Sequence, residues 1–345
     1  MKSFFRHIWL VALVALPLLA ACGTSPQTPG TSNLTPVSLA LDYTPNTNHT
    51  GIYVAQQKGW YKDQGLNLSI LPYSQNAAPE ALVASGKADF AISYEESVTT
   101  ANVSGQDLVS IAAIIQHNTS GLVVLADSGI TRPAQLAGKV YGNFADPFEP
   151  YVISAVINCD GGHVTPDQIK NTSPTLTDDG LGSLQTKKVD YVWIYQGWEG
   201  IEAQREGLKL TYFPVSGACV PDYYTPVIIT SGKMIKEHPD LVKKFMAATS
   251  QGYSYAIQNP DDAANILVGA VPPGTFDDVG LVKQSQEYLS KQYALDAPKW
   301  GMQTQAKWHD FPHFLFSTGV LADANGNIVT QEPDESQFFT NDFLP

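Results

Sequence analysis

The chain has 345 residues, with 20 Lys and Arg against 33 Asp and Glu and a formal net charge of −13. A chain this acidic, without any run of basic residues, is not expected to bind nucleic acid. Its three cysteines lack the spacing of a zinc site, so we predict neither a metal ion nor a resident cofactor.

The first 22 residues have the pattern of a bacterial lipoprotein signal peptide. Lys2 and Arg6 precede an apolar run at 8–21, which is shorter than the roughly 20 residues that a membrane-spanning helix needs. The small residues before Cys22 suit cleavage at that point. We therefore expect a signal peptide at 1–21 and lipidation of Cys22, which would hold the protein at the extracytoplasmic face of the cell membrane.

Residues 22–36 are rich in Pro, Gly and Thr, and this composition predicts a flexible tether behind the lipid. The body at 37–345 exceeds the size at which a single core usually divides, so we expect two lobes. Cys159 and Cys219 lie in this body. An exported compartment permits a disulfide between them, although the sequence does not show that they meet.

Within the body, apolar strands alternate with helical patterns. The predicted strands are 37–41, 66–71, 89–93, 108–116, 121–126, 140–142, 191–195 and 227–230. The predicted helices are 51–58, 79–85, 150–159, 180–186, 240–258, 260–268 and 277–292. Such alternation predicts an α/β fold with parallel sheets that helices cover on both faces.

Six stretches along the body resemble the substrate-binding lipoproteins of ABC importers for thiamine-pyrimidine precursors and riboflavin, the ThiY/RibY-like group. They are LDYTPNTNHTGIYVAQQKGWYKDQGLNL (41–68), SGKADFAISYEE (85–96), SIAAIIQHNTSG (110–121), DYVWIYQGWEGIEA (190–203), DYYTPVIIT (222–230) and FTNDFLP (339–345). The resemblance covers nearly the whole body and is strongest to the riboflavin-binding branch.

This resemblance implies a two-lobe, periplasmic-binding-protein-like fold of type II, with a small ligand in the cleft between the lobes. It also implies an ABC permease and ATPase as partners. We place the first lobe at 37–128 plus 226–345 and the second at 129–225. The hinge should then lie near Gly129 and Tyr224–Pro226.

Aromatic and acidic residues that suit a flat nitrogen heterocycle occur together near residue 195. Tyr195 and Glu199 are four residues apart, with Trp193 and Trp198 close by in sequence, which offers stacking surface beside a carboxylate acceptor. The resemblance implies that this Tyr and Glu contact the ligand and that an aromatic at Tyr43 stacks on it. The alternative is that the aromatics belong to the core and that PNTNHTG is only turn and helix-cap chemistry.

The complete set of predicted ligand-binding residues is Tyr43, Asn48, His49, Tyr94, Glu95, Gln116, Asn118, Asn143, Phe144, Asp146, Trp193, Tyr195, Trp198, Glu199, Tyr223 and Tyr224. For the pair Glu95-Glu96, we expect a helix cap or a solvated acidic pair, not a catalytic dyad.

Riboflavin is the ligand that the sequence favours over a formylaminopyrimidine or hydroxymethylpyrimidine. Tyr43 stands where many pyrimidine-binding relatives have Trp, and the loop at 141–150 departs from their glycine-rich pattern. Both changes would leave room for three fused rings. Asn143 and Asp146, with Gln116 and Asn118, would hydrogen-bond the ribityl hydroxyls.

An enzyme of the same fold, which builds the thiamine pyrimidine from pyridoxal phosphate, is the remote alternative. That branch needs a Lys and a His on the strand at 92–97 and a cysteine-rich run near 222–226. This chain has Ser93 and Ser97 there and DYYTP at 222–226, so no Schiff base can form. We therefore predict a binding protein without catalytic activity. A surface adhesin or structural lipoprotein is the third alternative, and a ligand-binding screen would distinguish it from a receptor.

Overall fold

The structure of the chain is a computed structural model, and it describes residues 34–74, 76–142, 146–172, 180–217 and 219–345. The predicted signal peptide, the tether up to residue 33, Cys22, Asn143 and Phe144 lie outside these residues. Residues 34–345 belong to one compact unit.

The first of two sheets has five strands in the order β2-β1-β3-β10-β4. Its strands are β1 (Thr35–Ala40), β2 (Leu66–Leu71), β3 (Phe90–Ser93), β4 (Leu108–Ala113) and β10 (Val227–Ser231). β1 runs parallel to β2 and β3, whereas β10 runs antiparallel to β3 and β4.

The second sheet also has five strands, in the order β7-β6-β8-β5-β9. They are β5 (Ser120–Leu125), β6 (Val140–Gly142), β7 (Lys170–Asn171), β8 (Tyr191–Tyr195) and β9 (Leu210–Pro214). In this sheet β5 runs antiparallel to both of its neighbours, β8 and β9. Each sheet is therefore mixed, which corrects the expectation of parallel sheets.

Twelve α-helices in the described residues cover the sheets. They are α1 (Thr50–Gln57), α2 (Trp60–Asp63), α3 (Pro79–Ala84), α4 (Glu95–Val103), α5 (Glu149–Cys159), α6 (Leu181–Gln185), α7 (Ile201–Arg205), α8 (Gly232–Glu237), α9 (Pro239–Gln258), α10 (Pro260–Ala270), α11 (Val279–Ser290) and α12 (Gln305–Thr318). Among the described residues, none of these helices has the length and apolar character to cross a membrane.

The chain passes between the two sheets at two places. It leaves β4 for β5 through residues 114–119 and returns from β9 to β10 through a connection that includes 219–226. β5 and β10 enter their sheets from the other lobe, which accounts for their reversed direction. The first crossing therefore precedes β5, so the lobe boundary lies at 114–119 and not at residue 128, and the hinge does not lie at Gly129. The second crossing contains Tyr224–Pro226, as the sequence predicts.

The two largest apolar clusters of the described residues lie one in each lobe. The first is built on the inner residues of β1 and β3 with α1 and α9, including Leu39, Phe90 and Phe245. The second joins β6 and β8 to α5, and Phe311 from α12 packs into it.

A disulfide joins Cys159 to Cys219, with 5.8 Å between their Cα atoms. It links the end of α5 to the second crossing segment, so the structure answers the question that the sequence left open.

Candidate ligand-binding site

The first half of the site lies at the carboxyl ends of β1 and β3. Asp42 follows β1 and Tyr94 follows β3, and because the two strands are parallel neighbours their ends lie at one edge. The Tyr94 hydroxyl donates to Asp42 Oδ2 at 2.6 Å, and His49 Nε2 lies 2.7 Å from Asp42 Oδ1. This edge is where open α/β sheets place their ligands.

His49 is fully buried and orients Asp42. The backbone N–H of Asn46 donates to His49 Nδ1 at 3.2 Å, which leaves the ring proton on Nε2 to donate to Asp42. Asn46 Oδ1 accepts from the backbone N–H of Asn48 at 2.9 Å. Residues 46–49 therefore form a helix cap, which was the alternative interpretation of this segment. The same cap fixes His49, and His49 holds the Asp42 carboxylate in place.

At Asp42, the effect of hydrogen bonds on the pKa of the carboxyl outweighs the effect of burial. Burial by itself acts to raise the pKa of Asp42, but the donors His49 and Tyr94 together lower that pKa below its ordinary value. Asp42 is therefore an anion at neutral pH. Burial, and then the charge of Asp42, raise the pKa of Tyr94, which keeps its hydroxyl protonated as the donor.

The second half of the site lies at the carboxyl end of β8. After Tyr195 the chain makes a π-helical turn at Gln196–Gly200, and Glu199 Oε2 accepts from the backbone N–H of Tyr195 at 2.9 Å. Ser285 of α11 donates to the carbonyl of Gly197 and also bonds Thr47 Oγ1 of the first lobe. The turn that carries Glu199 is thereby fixed against the loop that carries His49.

The two halves of the site lie within electrostatic reach of each other. Burial raises the pKa of Tyr195, and the charges of Glu96, Glu199 and Asp42 raise it further. Glu96 and Asp42 belong to the first lobe, so the phenol of Tyr195 on the second lobe lies within their electrostatic reach. Tyr195 is only partly buried.

Four of the predicted aromatic and amide residues pack elsewhere. Trp193 is buried and packs edge-to-face with Phe148, with 5.9 Å between the ring centres. Tyr223 stacks on Phe311, with 3.8 Å between the ring centres. Trp198 packs against Phe276 at 6.1 Å. Asn48 receives the Tyr253 hydroxyl on its carbonyl at 2.6 Å.

Three further predicted residues lie in the crossings, and Glu95 at the start of α4 bonds to one of them. Gln116 Nε2 donates to the carbonyl of Met302 at 3.0 Å, and Asn118 Oδ1 accepts from the backbone N–H of Ser120 at 2.6 Å. Glu95 Oε2 accepts from the backbone N–H of Tyr224 at 2.7 Å. These bonds tie the crossing segments to their lobes.

Among the predicted residues that the structure describes, Tyr43 and Asp146 are the exposed ones. Tyr43 keeps 48% of its surface accessible, and its ring centre lies 5.5 Å from that of Tyr73. Asp146 lies beyond β6, on the second lobe.

The structure corrects the expectation for Glu95 and Glu96 and adds two acidic residues. The pair does begin helix α4, but neither carboxyl is solvated, because both side chains are buried. Asp42 and Glu96 are absent from the predicted site. Asp42 follows the predicted strand that ends at residue 41, and Glu96 follows the predicted site residue Glu95. A position directly beside a predicted strand end or site residue is the sequence feature that could have identified them.

Comparison with protein families matches residues 46–263 to a model described as NMT1/THI5 like. A formylaminopyrimidine-binding protein of Halalkalibacterium halodurans is 27% identical over 95% of this chain and 100% of its own length. The riboflavin-binding protein RibY of Chloroflexus aurantiacus is 24% identical over 99% and 98%. A 4-amino-5-hydroxymethyl-2-methylpyrimidine phosphate synthase of Legionella pneumophila is 25% identical over 68% and 74%.

Among solved structures, the alkanesulfonate-binding protein SsuA of Xanthomonas axonopodis pv. citri, bound to MOPS, superposes with a TM-score of 0.61 at 11% identity. The match covers 83% of this chain and 94% of that one. It shows that the fold of this chain is that of the periplasmic binding proteins.

Proposed function

The chain belongs to the NMT1/THI5-like family, and on that basis we propose that it is the substrate-binding protein of an ABC importer for a flat nitrogen heterocycle. Binding proteins for a formylaminopyrimidine and for riboflavin match almost its full length. The ligand would be a vitamin or a vitamin precursor of this kind, passed on to a permease and its ATPase.

One observation carries the proposal: polar groups from both lobes lie at the carboxyl ends of parallel strands, on two segments that Ser285 holds together. Asp42 and Tyr94 come from the first lobe, and Tyr195 and Glu199 from the second. A ligand that contacts both sets stabilises the closed arrangement, and a transporter can recognise that closed arrangement.

The enzymes of the family are the second candidate, and the described residues argue against it. The resemblance places the lysine of the enzymatic branch on the strand at 92–97, a stretch that holds no lysine here and whose Ser93 hydroxyl donates to Glu80. Without an amine at that position, no Schiff base to an aldehyde cofactor can form.

Anchoring by lipid at Cys22 is part of the proposal and rests on the sequence of residues 1–22. A lipid on Cys22 would keep the receptor close to its permease. The importer role requires that the protein works outside the cytoplasm, and the disulfide between Cys159 and Cys219 is compatible with such a compartment.

The function is tested by calorimetry of the purified protein with three probes: riboflavin, formylaminopyrimidine and 4-amino-5-hydroxymethyl-2-methylpyrimidine. We expect saturable binding of at least one probe at a single site, together with an increase in melting temperature. Absence of binding by all three, or turnover of a probe, would refute the proposal.

Replacing Glu199 by glutamine is expected to weaken ligand binding by about 1.5–3 kcal/mol, because a charge-assisted acceptor is lost. The amide oxygen can still accept from the backbone N–H of Tyr195, so the empty protein should melt at nearly the same temperature. Calorimetry and thermal melting of the same preparation separate the two effects. Unchanged affinity with a large drop in melting temperature would make Glu199 a purely structural residue.

A further inference from the structure

Arg205 of the second lobe forms a bidentate ion pair with Asp278 of the first lobe. Arg205 is the last residue of α7, and Asp278 directly precedes α11. Arg205 Nε donates to Asp278 Oδ2 at 2.7 Å, and Nη2 donates to Oδ1 at 2.9 Å. The hydrogen bond from Arg205 lowers the pKa of the Asp278 carboxyl below its ordinary value, so both partners are charged at neutral pH.

The packing of α7 and α11 shows that the two partners belong to different lobes. Ala203 of α7 lies in an apolar cluster with Val192 and Ile194 of β8. On α11, Val282 lies in a cluster with residues of α1 and α10, and Leu289 belongs to the core of the first lobe. The ion pair therefore connects the lobes at a place outside the two crossings.

The ion pair continues a row of contacts between α11 and the second lobe. Trp198 of the π-helical turn packs against the apolar cluster that contains Val282. The Ser285 hydroxyl donates to the carbonyl of Gly197, in the same turn. The turn that carries Glu199 therefore rests on α11, and Arg205 holds the helix that follows this turn.

The pair lies at the end of α11 that is farther from the first crossing. Beyond the other end, the carbonyl of Gln292 accepts from the backbone N–H of Gln116 in that crossing at 3.1 Å. Helix α11 has 12 residues and is therefore about 18 Å long. A rotation of the lobes by about 10° around the crossings would move Arg205 and Asp278 apart by about 3 Å, which breaks both hydrogen bonds.

Gly280 leaves room for the guanidinium over the first turn of α11. Its backbone N–H donates to Asp278 Oδ1 at 2.7 Å, so Asp278 also caps the helix. A Cβ at Gly280 would lie 2.8 Å from Arg205 Cζ and closer still to Nη2. An alanine at this position would therefore displace the guanidinium without removing either charge.

We propose that Arg205 and Asp278 form a latch that holds the two lobes in the closed arrangement and thereby slows release of the bound molecule. This inference rests on the proposed function and adds two positioning residues to it. Both act through the turn that carries Glu199, because the latch keeps α7 and this turn against α11. A pair that is made only in the closed arrangement shifts the equilibrium toward that arrangement by its own free energy.

The test compares wild type with Arg205→Gln and Gly280→Ala. The empty proteins are measured by small-angle X-ray scattering, and both variants should have a larger radius of gyration than wild type because more molecules are open. Riboflavin and 4-amino-5-hydroxymethyl-2-methylpyrimidine are the probes for stopped-flow release. Each probe that wild type binds should leave both variants about two- to fivefold faster, the range expected for a partly exposed ion pair. Sodium chloride at about 1 M should speed release from wild type and have little effect on Arg205→Gln.

Arg132→Gln is the matched control. Arg132 forms the same kind of bidentate pair with Asp160, at 2.8 and 3.0 Å, but both residues lie within the second lobe. This variant should scatter X-rays and release both probes like wild type. All three variants should unfold at similar denaturant concentrations, which separates an effect on closure from an effect on stability.

Wild-type scattering and wild-type release rates in both Arg205→Gln and Gly280→Ala would overturn the inference while the importer function stands. An equal change in Arg132→Gln would overturn it as well, because the effect would then not depend on a contact between lobes. Failure of wild type to bind either probe would instead count against the proposed function. The scattering of the empty proteins would still decide whether the latch exists.

Discussion

Replacing Gly252 by alanine is expected to lower the free energy of unfolding by about 3 kcal/mol or more, at the upper end of what overpacking costs. A Cβ at this position in α9 would lie 1.9 Å from the backbone carbonyl oxygen of Gly51 in α1. Backbone atoms cannot rotate away, so the two helices would have to separate. The measurement is chemical denaturation of the variant beside wild type.

The separation should also reach the ligand-binding site. Tyr253, the next residue of α9, donates to the carbonyl of Asn48, and α1 begins directly after His49. A displaced α1 would disturb the loop that orients Asp42, so ligand affinity should fall together with stability.

Gly269→Ala is the control for the intrinsic effect of alanine in a helix. Gly269 lies in α10, and a Cβ there would meet no atom within 4 Å. This change should stabilise the protein by about 0.5–1 kcal/mol or leave it unaltered. If Gly252→Ala were as stable as Gly269→Ala, the close contact of α1 with α9 would be wrong.

Removing the disulfide by the double change Cys159→Ser and Cys219→Ser is expected to cost about 2–5 kcal/mol of unfolding free energy. The two cysteines are 60 residues apart in sequence, so the bond restricts a long loop of the unfolded chain. Denaturation under oxidising conditions measures the difference.

Wild-type protein treated with a reductant serves as the internal comparison for the disulfide. It should fall to the stability of the double variant, while the double variant should not respond to the reductant. A double variant as stable as the oxidised wild type would mean that the bond does not form in the protein.

The sequence predicted the elements whose residues carry a clear apolar pattern. Helix α9 and the strands β1 and β8 were found close to their observed bounds. Helix α4 was not, because EESVTTANV has no apolar stripe and is held instead by burial against the first sheet. Helix α12 was missed for a related reason, since Pro312 lies within it and its aromatic residues follow no single period.

The place of a candidate residue in the fold was predictable where it follows directly from a strand end. Tyr94, Tyr195 and Glu199 stand at such ends, and the structure places them there. The depth of a side chain was not predictable, because it depends on how the two lobes pack together. Glu96 reads as a solvated charge in sequence, and Trp193 reads as a stacking surface, yet both are buried.

The hinge shows the same limit at the level of topology. The residues at 120–125 have the same apolar strand pattern whichever sheet the strand joins. Only the pairing of this strand with β8 and β9 assigns it to the second lobe. Sequence periodicity carries no information on that choice.

The central claim, that groups from both lobes enclose a flat heterocycle, is tested most directly by a crystal structure of the protein grown with 4-amino-5-hydroxymethyl-2-methylpyrimidine. The account predicts the ring between Asp42 and Tyr94 on one side and Tyr195 and Glu199 on the other. An empty cleft at saturating ligand, or a ring bound away from these residues, would contradict it.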